Sequence, residues 1–176
     1  MEKINFTNGQ APAINGSNLN QLQTNVEEAI NEIVPKTDKN IITAKLASSY
    51  TLTKTSEYEK LKLTEQSSVG DILSMNDDGQ IVIPDGVTKV IVSGVILWNK
   101  IITSGTKHAH IVRNNTAINH IFMSGVAGET TIMVFPPILA DVTAGNLITL
   151  EVYSNSLDII DGNANARTYL TVEVVE

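Results

Sequence analysis

One segment constrains this chain more than any other: Val87 to Trp98, a β run in which both alternating sets of side chains are apolar. Val90, Val92, Ile96 and Trp98 form one set; Ile91, Val95 and Leu97 form the other. On a strand, residues i and i+2 point to the same face. A strand of an antiparallel sandwich ordinarily wets one face. Here one set, with Trp98, goes to the core, and the second set needs another cover. A second copy of the chain supplies it; a helix or loop of the same chain is the competing reading. The subunit reading is preferred, so Ile91, Val95 and Leu97 are expected at an interface between copies.

The rest of the chain from Tyr50 also follows a period of two. Leu61 and Leu63 alternate with Lys60 and Lys62, and Ile81-Val82-Ile83 follows the hairpin signal Asp77-Asp78-Gly79. Further strands are expected at His108–Arg113, Ala117–Met123, Thr130–Phe135, Asn146–Tyr153 and Tyr169–Val175, with Asn114-Asn115 as a turn. Short strands separated by Gly, Asn, Asp and Pro indicate a sandwich or barrel. No βαβ alternation appears, which argues against a doubly wound sheet. Residues 50–176 are therefore expected to form one β domain.

Ahead of it the period is helical. Leu19, Leu22, Val26, Ala29 and Ile33 follow a 3-4-3-4 spacing, an a/d seam on a helix over 17–34. Ser17 supplies an N-cap and Pro35 a stop. The seam either gathers copies of the chain into a bundle, the preferred reading, or packs on its own domain. So short a helix is marginal alone, and a larger oligomeric domain would supply its effective concentration. Residues 1–16 are polar and rich in breaker pairs such as Asn8-Gly9 and Asn15-Gly16, and read as an extended segment that orders against a partner. Residues 35–49 read as a linker.

Charge and composition narrow the partners. With 12 basic and 19 acidic residues the net charge is −7, and no basic stripe exists, so nucleic acid is not an expected partner. No apolar stretch approaches the roughly 20 residues of a spanning helix, so no membrane insertion is expected. The opening residues lack the apolar core of a signal peptide. The absence of cysteine removes disulfides, thiolate metal sites and thiol nucleophiles, and fits assembly in a reducing cytoplasm.

Two regions resemble a known group. Ile4-Asn5-Phe6-Thr7-Asn8-Gly9-Gln10-Ala11-Pro12-Ala13-Ile14-Asn15, with Asn18-Leu19-Asn20-Gln21-Leu22-Gln23 and Glu27-Glu28-Ala29-Ile30, is similar to the start of structural proteins from phages of Gram-positive bacteria: baseplate, tail-fibre and head-fibre components. From Asp85 to Glu176 the chain resembles phage domains with a jelly roll like that of tumour necrosis factor and C1q. Thr88-Lys89-Val90-Ile91-Val92-Ser93-Gly94, Thr143-Ala144-Gly145-Asn146-Leu147-Ile148-Thr149-Leu150 and Ala166-Arg167-Thr168-Tyr169-Leu170-Thr171-Val172-Glu173 carry that likeness. Fewer aromatic residues than the group usually carries set this chain apart. The resemblance implies a C1q/TNF-like jelly roll behind a short helix. It implies a homotrimer displayed on a virion, assembled in the bacterial host cytoplasm and attached to other virion proteins through residues 1–16. Host attachment through a cell-surface saccharide follows as the expected role. The alternatives are a head-fibre or capsid decoration protein with no receptor, a cellular sugar-binding module, and an enzyme acting on glycans.

Catalytic motifs are missing: there is no phosphate loop, no Gly-x-Gly-x-x-Gly and no Gly-x-Ser-x-Gly, and no enzyme activity or cofactor is expected. His108-Ala109-His110 places two imidazoles on one strand face. Around a threefold axis such pairs would offer a divalent metal six nitrogens, but the plainer reading is an exposed pair titrating near neutral pH. His120 belongs to a neighbouring strand. The oxygen-rich stretch from Asp158 to Arg167 lacks the spacing of a known calcium loop and reads as a solvated loop.

Overall fold

The computed structural model describes residues 20, 23–25, 40–162 and 167–175, apart from the side chains of Glu65 and Gln66. Residues 20 and 23–25 are helical, with the Thr24 hydroxyl donating to the Asn20 carbonyl at 3.0 Å. The seam residues Leu19, Leu22, Val26, Ala29 and Ile33 and the segment 1–16 lie outside the described residues.

Strand-forming alternation governs everything from Asn40 onward. The strands are β1 (Ile41–Lys45), β2 (Tyr50–Thr51), β3 (Tyr58–Lys60), β4 (Thr64–Val69), β5 (Ser74–Met75) and β6 (Ile81–Val82), then β7 (Lys89–Lys100), β8 (Gly105–Arg113), β9 (Thr116–Gly125), β10 (Thr131–Asp141), β11 (Leu147–Ser154), β12 (Ile159–Ile160) and β13 (Tyr169–Val174). They form two antiparallel sheets. Sheet A runs β2-β12-β7-β13-β1-β4, with β10 on the other edge of β7; sheet B runs β5-β6-β11-β8-β9, with β3 also on β11.

The inward phases of both sheets meet in one core. From sheet A come Ile42, Val90, Val92, Ile96, Trp98 and Leu170; from sheet B come Ile81, Ala109, Ile111, Ile148, Leu150 and Val152, each completely buried. Burial of such a side chain stabilises the fold by roughly 1.5–3 kcal/mol before conformational entropy is counted. Gly94 sits on the inward phase of β7 because a Cβ there would stand 2.8 Å from the Tyr169 carbonyl oxygen of β13. In β10, Pro136 and Pro137 have no N–H to give the ladder, and the register to β7 shifts between Phe135 and Ile138.

Two expectations are corrected here. Residues 35–49 are not a linker throughout: Ile41–Lys45 is β1, paired with both β13 and β4. Its inward residues are Ile42, Ala44 and Leu46, and one small side chain among them hides the alternation. The stretch beginning at Asp158 is not a solvated loop either, since Asp158 is completely buried and Asp161 is 4% exposed.

Asp158 belongs to a polar network at one end of the core. Lys107 occupies the inward phase of β8, in step with Ala109 and Ile111, and is completely buried. Its ammonium lies 2.7 Å from Asp158 Oδ2 and donates to Ser154 Oγ at 2.8 Å, Asn155 Oδ1 at 2.7 Å and the Thr103 carbonyl at 3.0 Å. Asp158 also accepts from the Ile102 amide at 2.6 Å, from Ser156 Oγ at 2.7 Å and from Ser154 Oγ. Burial alone would raise the Asp158 carboxyl; Lys107, the two hydroxyls and the Ile102 amide outweigh it and hold the group below its ordinary value. A buried pair with every polar atom engaged is tolerated, whereas half of one is not. Lys107→Met is predicted to cost about 3–5 kcal/mol, read as a fall in the urea midpoint. Because the folded carboxyl is depressed, its contribution is present above the unfolded value of about 4 and is lost as pH falls through the folded value. The wild-type midpoint therefore drops on acidification, and the drop shrinks in Asp158→Asn.

Candidate functional site

The outward phase of sheet B gathers all three histidines beside Tyr58, Tyr153, Phe122, Lys60 and Glu151. Antiparallel register aligns them in two rows. Tyr58 on β3 pairs with Tyr153 on β11, which pairs with His108 on β8, which pairs with Phe122 on β9. The neighbouring row is Lys60, Glu151, His110 and His120 on the same four strands. Each residue stands opposite in phase to a core neighbour: Tyr153 beside Val152, His108 and His110 on either side of Ala109.

Tyr58 crosses this surface. Its hydroxyl lies 2.8 Å from His108 Nδ1 and 3.1 Å from His110 Nε2, and its ring stacks on His110 with centroids 4.4 Å apart. Tyr153 stands 5.3 Å from the Tyr58 ring and 4.9 Å from His108. Phe122 is 71% exposed at the end of the row. β3 is held from beneath as well: Glu59 points inward and accepts from Tyr50 Oη at 2.7 Å, Thr53 N and Oγ1 at 2.8 Å each, and Lys54 N at 2.7 Å.

A phenol has one proton to give, so Tyr58 donates to one imidazole and accepts N–H from the other. That arrangement needs at least one neutral histidine. Burial, then the neighbouring charges of His108 and His120, lower the pKa of His110. Burial, with Tyr153 and Glu151 nearby, raises that of Tyr58. Both shifts favour the uncharged latch.

The sequence placed His108 and His110 on one face, and the structure brings them together. Their shared partner is Tyr58 rather than a third ligand, and among the described residues no group of three or more His, Asp or Glu side chains is arranged to hold a metal. Tyr58, Tyr153, Phe122, Lys60 and Glu151 were missed; the available signal was an aromatic or charged residue on the polar phase of a strand.

The outward phase of sheet A differs in kind. Ile91 and Val95 are half-buried on β7. Opposite them on β10 stand Leu139 and Val134, each 60% exposed, with Ile132 59% exposed further along. Tyr169 of β13 flanks Val95 on its other side. Leu97 departs from the expected interface: it is only 2% exposed within the single chain. Ile96, Leu97 and Trp98 are buried in succession where β12 joins β7 with a register shift. The Leu97 amide donates to Thr168 Oγ1 at 3.1 Å, and its carbonyl accepts from the Asp161 amide at 2.8 Å. The chain's own later segment thus engages this end of the strand, as the competing reading required.

Lys107, Ser154 and Asp158 have the residue types of a nucleophile with its base, but all three are completely buried, which leaves a substrate no access to them.

The latch predicts a pH response. A histidine whose folded pKa is lowered leaves the unfolded chain binding more protons, so stability is full above the unfolded value of about 6.5 and falls as pH drops below it. Proton NMR of the full chain should show the His110 ring titrating lower than a histidine in a random peptide. In Tyr58→Phe both rings lose their hydroxyl partner, and the His110 shift changes; an identical titration curve in that variant contradicts the latch.

No protein-family model and no curated protein matches the sequence. Solved structures do. Murine APRIL at pH 5.0 superposes with a TM-score of 0.62 at 10% identity, over 78% of this chain and 99% of that one. Murine APRIL at pH 8.5 gives 0.56 at 12% identity, over 78% and 99%. Eiger TNF from S. frugiperda gives 0.60 at 8% identity, over 78% and 92%. The two antiparallel sheets of this chain therefore form a TNF-like jelly roll.

Proposed function

We propose that this chain is a non-enzymatic bacteriophage virion protein, a homotrimeric fibre or baseplate component whose β domain displays a surface for a host saccharide. The observation that carries the self-association is the outward phase of sheet A. Exposed apolar side chains of β10 stand there opposite half-buried apolar ones of β7: Val134 opposite Val95, Leu139 opposite Ile91. A contiguous apolar surface of this kind on a soluble domain marks an association site. It lies on the side of the sandwich away from the Tyr58 rows, so copies packed through sheet A keep sheet B facing solvent.

Three is the number suggested by the resemblance of the jelly-roll segment, and a cyclic trimer buries the patch with no open end. The phage assignment is supported by the likeness of the opening residues to the starts of phage structural proteins, which also gives residues 1–16 their role in docking to the particle. With sheet A at the threefold axis, His108 and His110 point away from it and their three copies do not converge, which agrees with the plainer reading of the pair. The rows of sheet B, aromatic beside polar, suit a sugar better, since a pyranose offers an apolar C–H face and a rim of hydroxyls.

Light scattering on the purified full chain is predicted to give three times the chain mass across dilution. Val134→Asp, an exposed substitution that leaves the core intact, is predicted to shift the population to single chains while the β-sheet circular dichroism stays unchanged. A wild-type chain that is monomeric at every concentration overturns the reading.

A further inference from the structure

Beside the Tyr58 rows, at the end of sheet B nearest the β8–β9 turn, lies a cleft lined by Lys60, Gln80, Asn114, Asn115, Leu147 and Thr149. Thr149 lies on the outward phase of β11, is 2% exposed, and its hydroxyl has no hydrogen-bond partner among the described residues. Buried hydroxyls are nearly always paired. Lys60 comes from β3 on one edge of β11 and Asn115 from the turn beyond β8 on the other. The bond from Lys60 Nζ to Asn115 Oδ1, 3.0 Å long, therefore passes over the outward face of β11.

The amides of this cleft are oriented by the protein itself. Asn114 Oδ1 accepts the Leu147 amide at 2.8 Å, and Asn115 Oδ1 accepts Lys60. Asn76 Oδ1 accepts the Asp78 and Gln80 amides, so its NH2 must face Gln80 Oε1, at 3.1 Å. The side-chain amides of Asn114, Asn115 and Gln80 thus spend their oxygens inside the protein and keep their NH2 groups, and each amide NH2 carries two donors. With the Lys60 ammonium the cleft is rich in donors, and the Thr149 hydroxyl is its uncommitted floor. Glu151, 4.0 Å from Lys60 Nζ, offsets part of that charge but is not among the lining residues. Arg113 stands next to Asn114 at the same end.

We infer that this cleft binds an acidic saccharide, its carboxylate at Lys60 and Asn115 and its ring hydroxyls over Thr149 and the amides of Gln80 and Asn114. The choice of a sugar rests on the display reading above; the demand for an acceptor-rich anion rests on the cleft alone.

The test is a titration of the isotopically labelled full chain with D-glucuronate, followed by amide NMR. Saturable shifts are expected at Lys60, Gln80, Asn114, Asn115 and Thr149, with D-glucose and acetate each at least about tenfold weaker. Lys60→Met and Asn115→Gly should each weaken glucuronate about tenfold; glycine is chosen because Asn115 has φ of 71°. Thr149→Val should weaken binding while leaving the urea midpoint unchanged or higher, because it removes an unpaired buried hydroxyl. That split separates a ligand-facing group from a structural one. No saturable shift, shifts confined to other residues, or acetate binding as tightly as glucuronate overturns the inference. A trimer by light scattering with no glucuronate binding leaves the display reading standing; a monomer that binds glucuronate does the reverse.

Discussion

The pairing of β7 with β10 on one edge and with β13 and β12 on the other holds sheet A together. Val90, Val92, Ile96 and Trp98 give that strand a core phase with no solvent exposure, so its register cannot slip by one residue without turning four large side chains outward. Once β7 is fixed, so are the phases of its neighbours. β13 must present Leu170 and Val172 inward, β10 must present Met133 and Phe135, and their alternate residues are left on the outside. The apolar outer patch is therefore a consequence of core register combined with what evolution placed on the other phase.

The core was legible because it obeys a period of two. Trp98 was assigned to it from sequence, and the strands β7 to β11 and β13 fall close to where alternation put them. What was not legible has identifiable causes. β1 was hidden by Ala44, too small to register as a hydrophobic position. Leu97 was assigned outward by strict alternation, but β7 stops alternating where β12 joins it, and no local residue type announces such a join. Lys107 stands in the apolar phase of its strand, a signal that was available, yet its partners Ser154, Asn155, Ser156 and Asp158 come from about 50 residues away. The histidine pair was visible in sequence; Tyr58, which unites it, arrives from two strands away in the sheet through β11, and only topology supplies that neighbour.

The two sheet surfaces divide the outside of the domain by chemistry. The β7–β10 side of sheet A offers valine, leucine and isoleucine, a surface whose free energy falls when water leaves it, while β13 and β1 of the same sheet carry Thr171, Glu173, Thr43 and Lys45. Sheet B offers histidine, tyrosine, lysine and amides, groups that lose by dry burial unless each finds a partner. A single chain cannot satisfy both by one kind of contact. On the reading proposed above, copies of the chain meet through the first and a ligand meets the second, which leaves each surface in its preferred surroundings.

Strand β3 joins the two halves of the sheet B surface. It spans only Tyr58–Lys60, yet each of its residues is fastened in a different direction. Tyr58 reaches across to His108 and His110, Glu59 is held beneath by Tyr50, Thr53 and Lys54, and Lys60 crosses to Asn115. So short a strand has little ladder of its own, and these side chains set its position. Glu59 fixes the height of β3 above the core, because its carboxylate is matched to the turn after β2. Burial opposes the charge, but the Tyr50 hydroxyl, the Lys54 amide and Thr53 together hold the pKa below its ordinary value. With β3 anchored there, the phenol of Tyr58 and the ammonium of Lys60 project from points two residues apart on the same face. The hydrogen bonds to the histidine pair and the bridge over the cleft therefore start from one short strand.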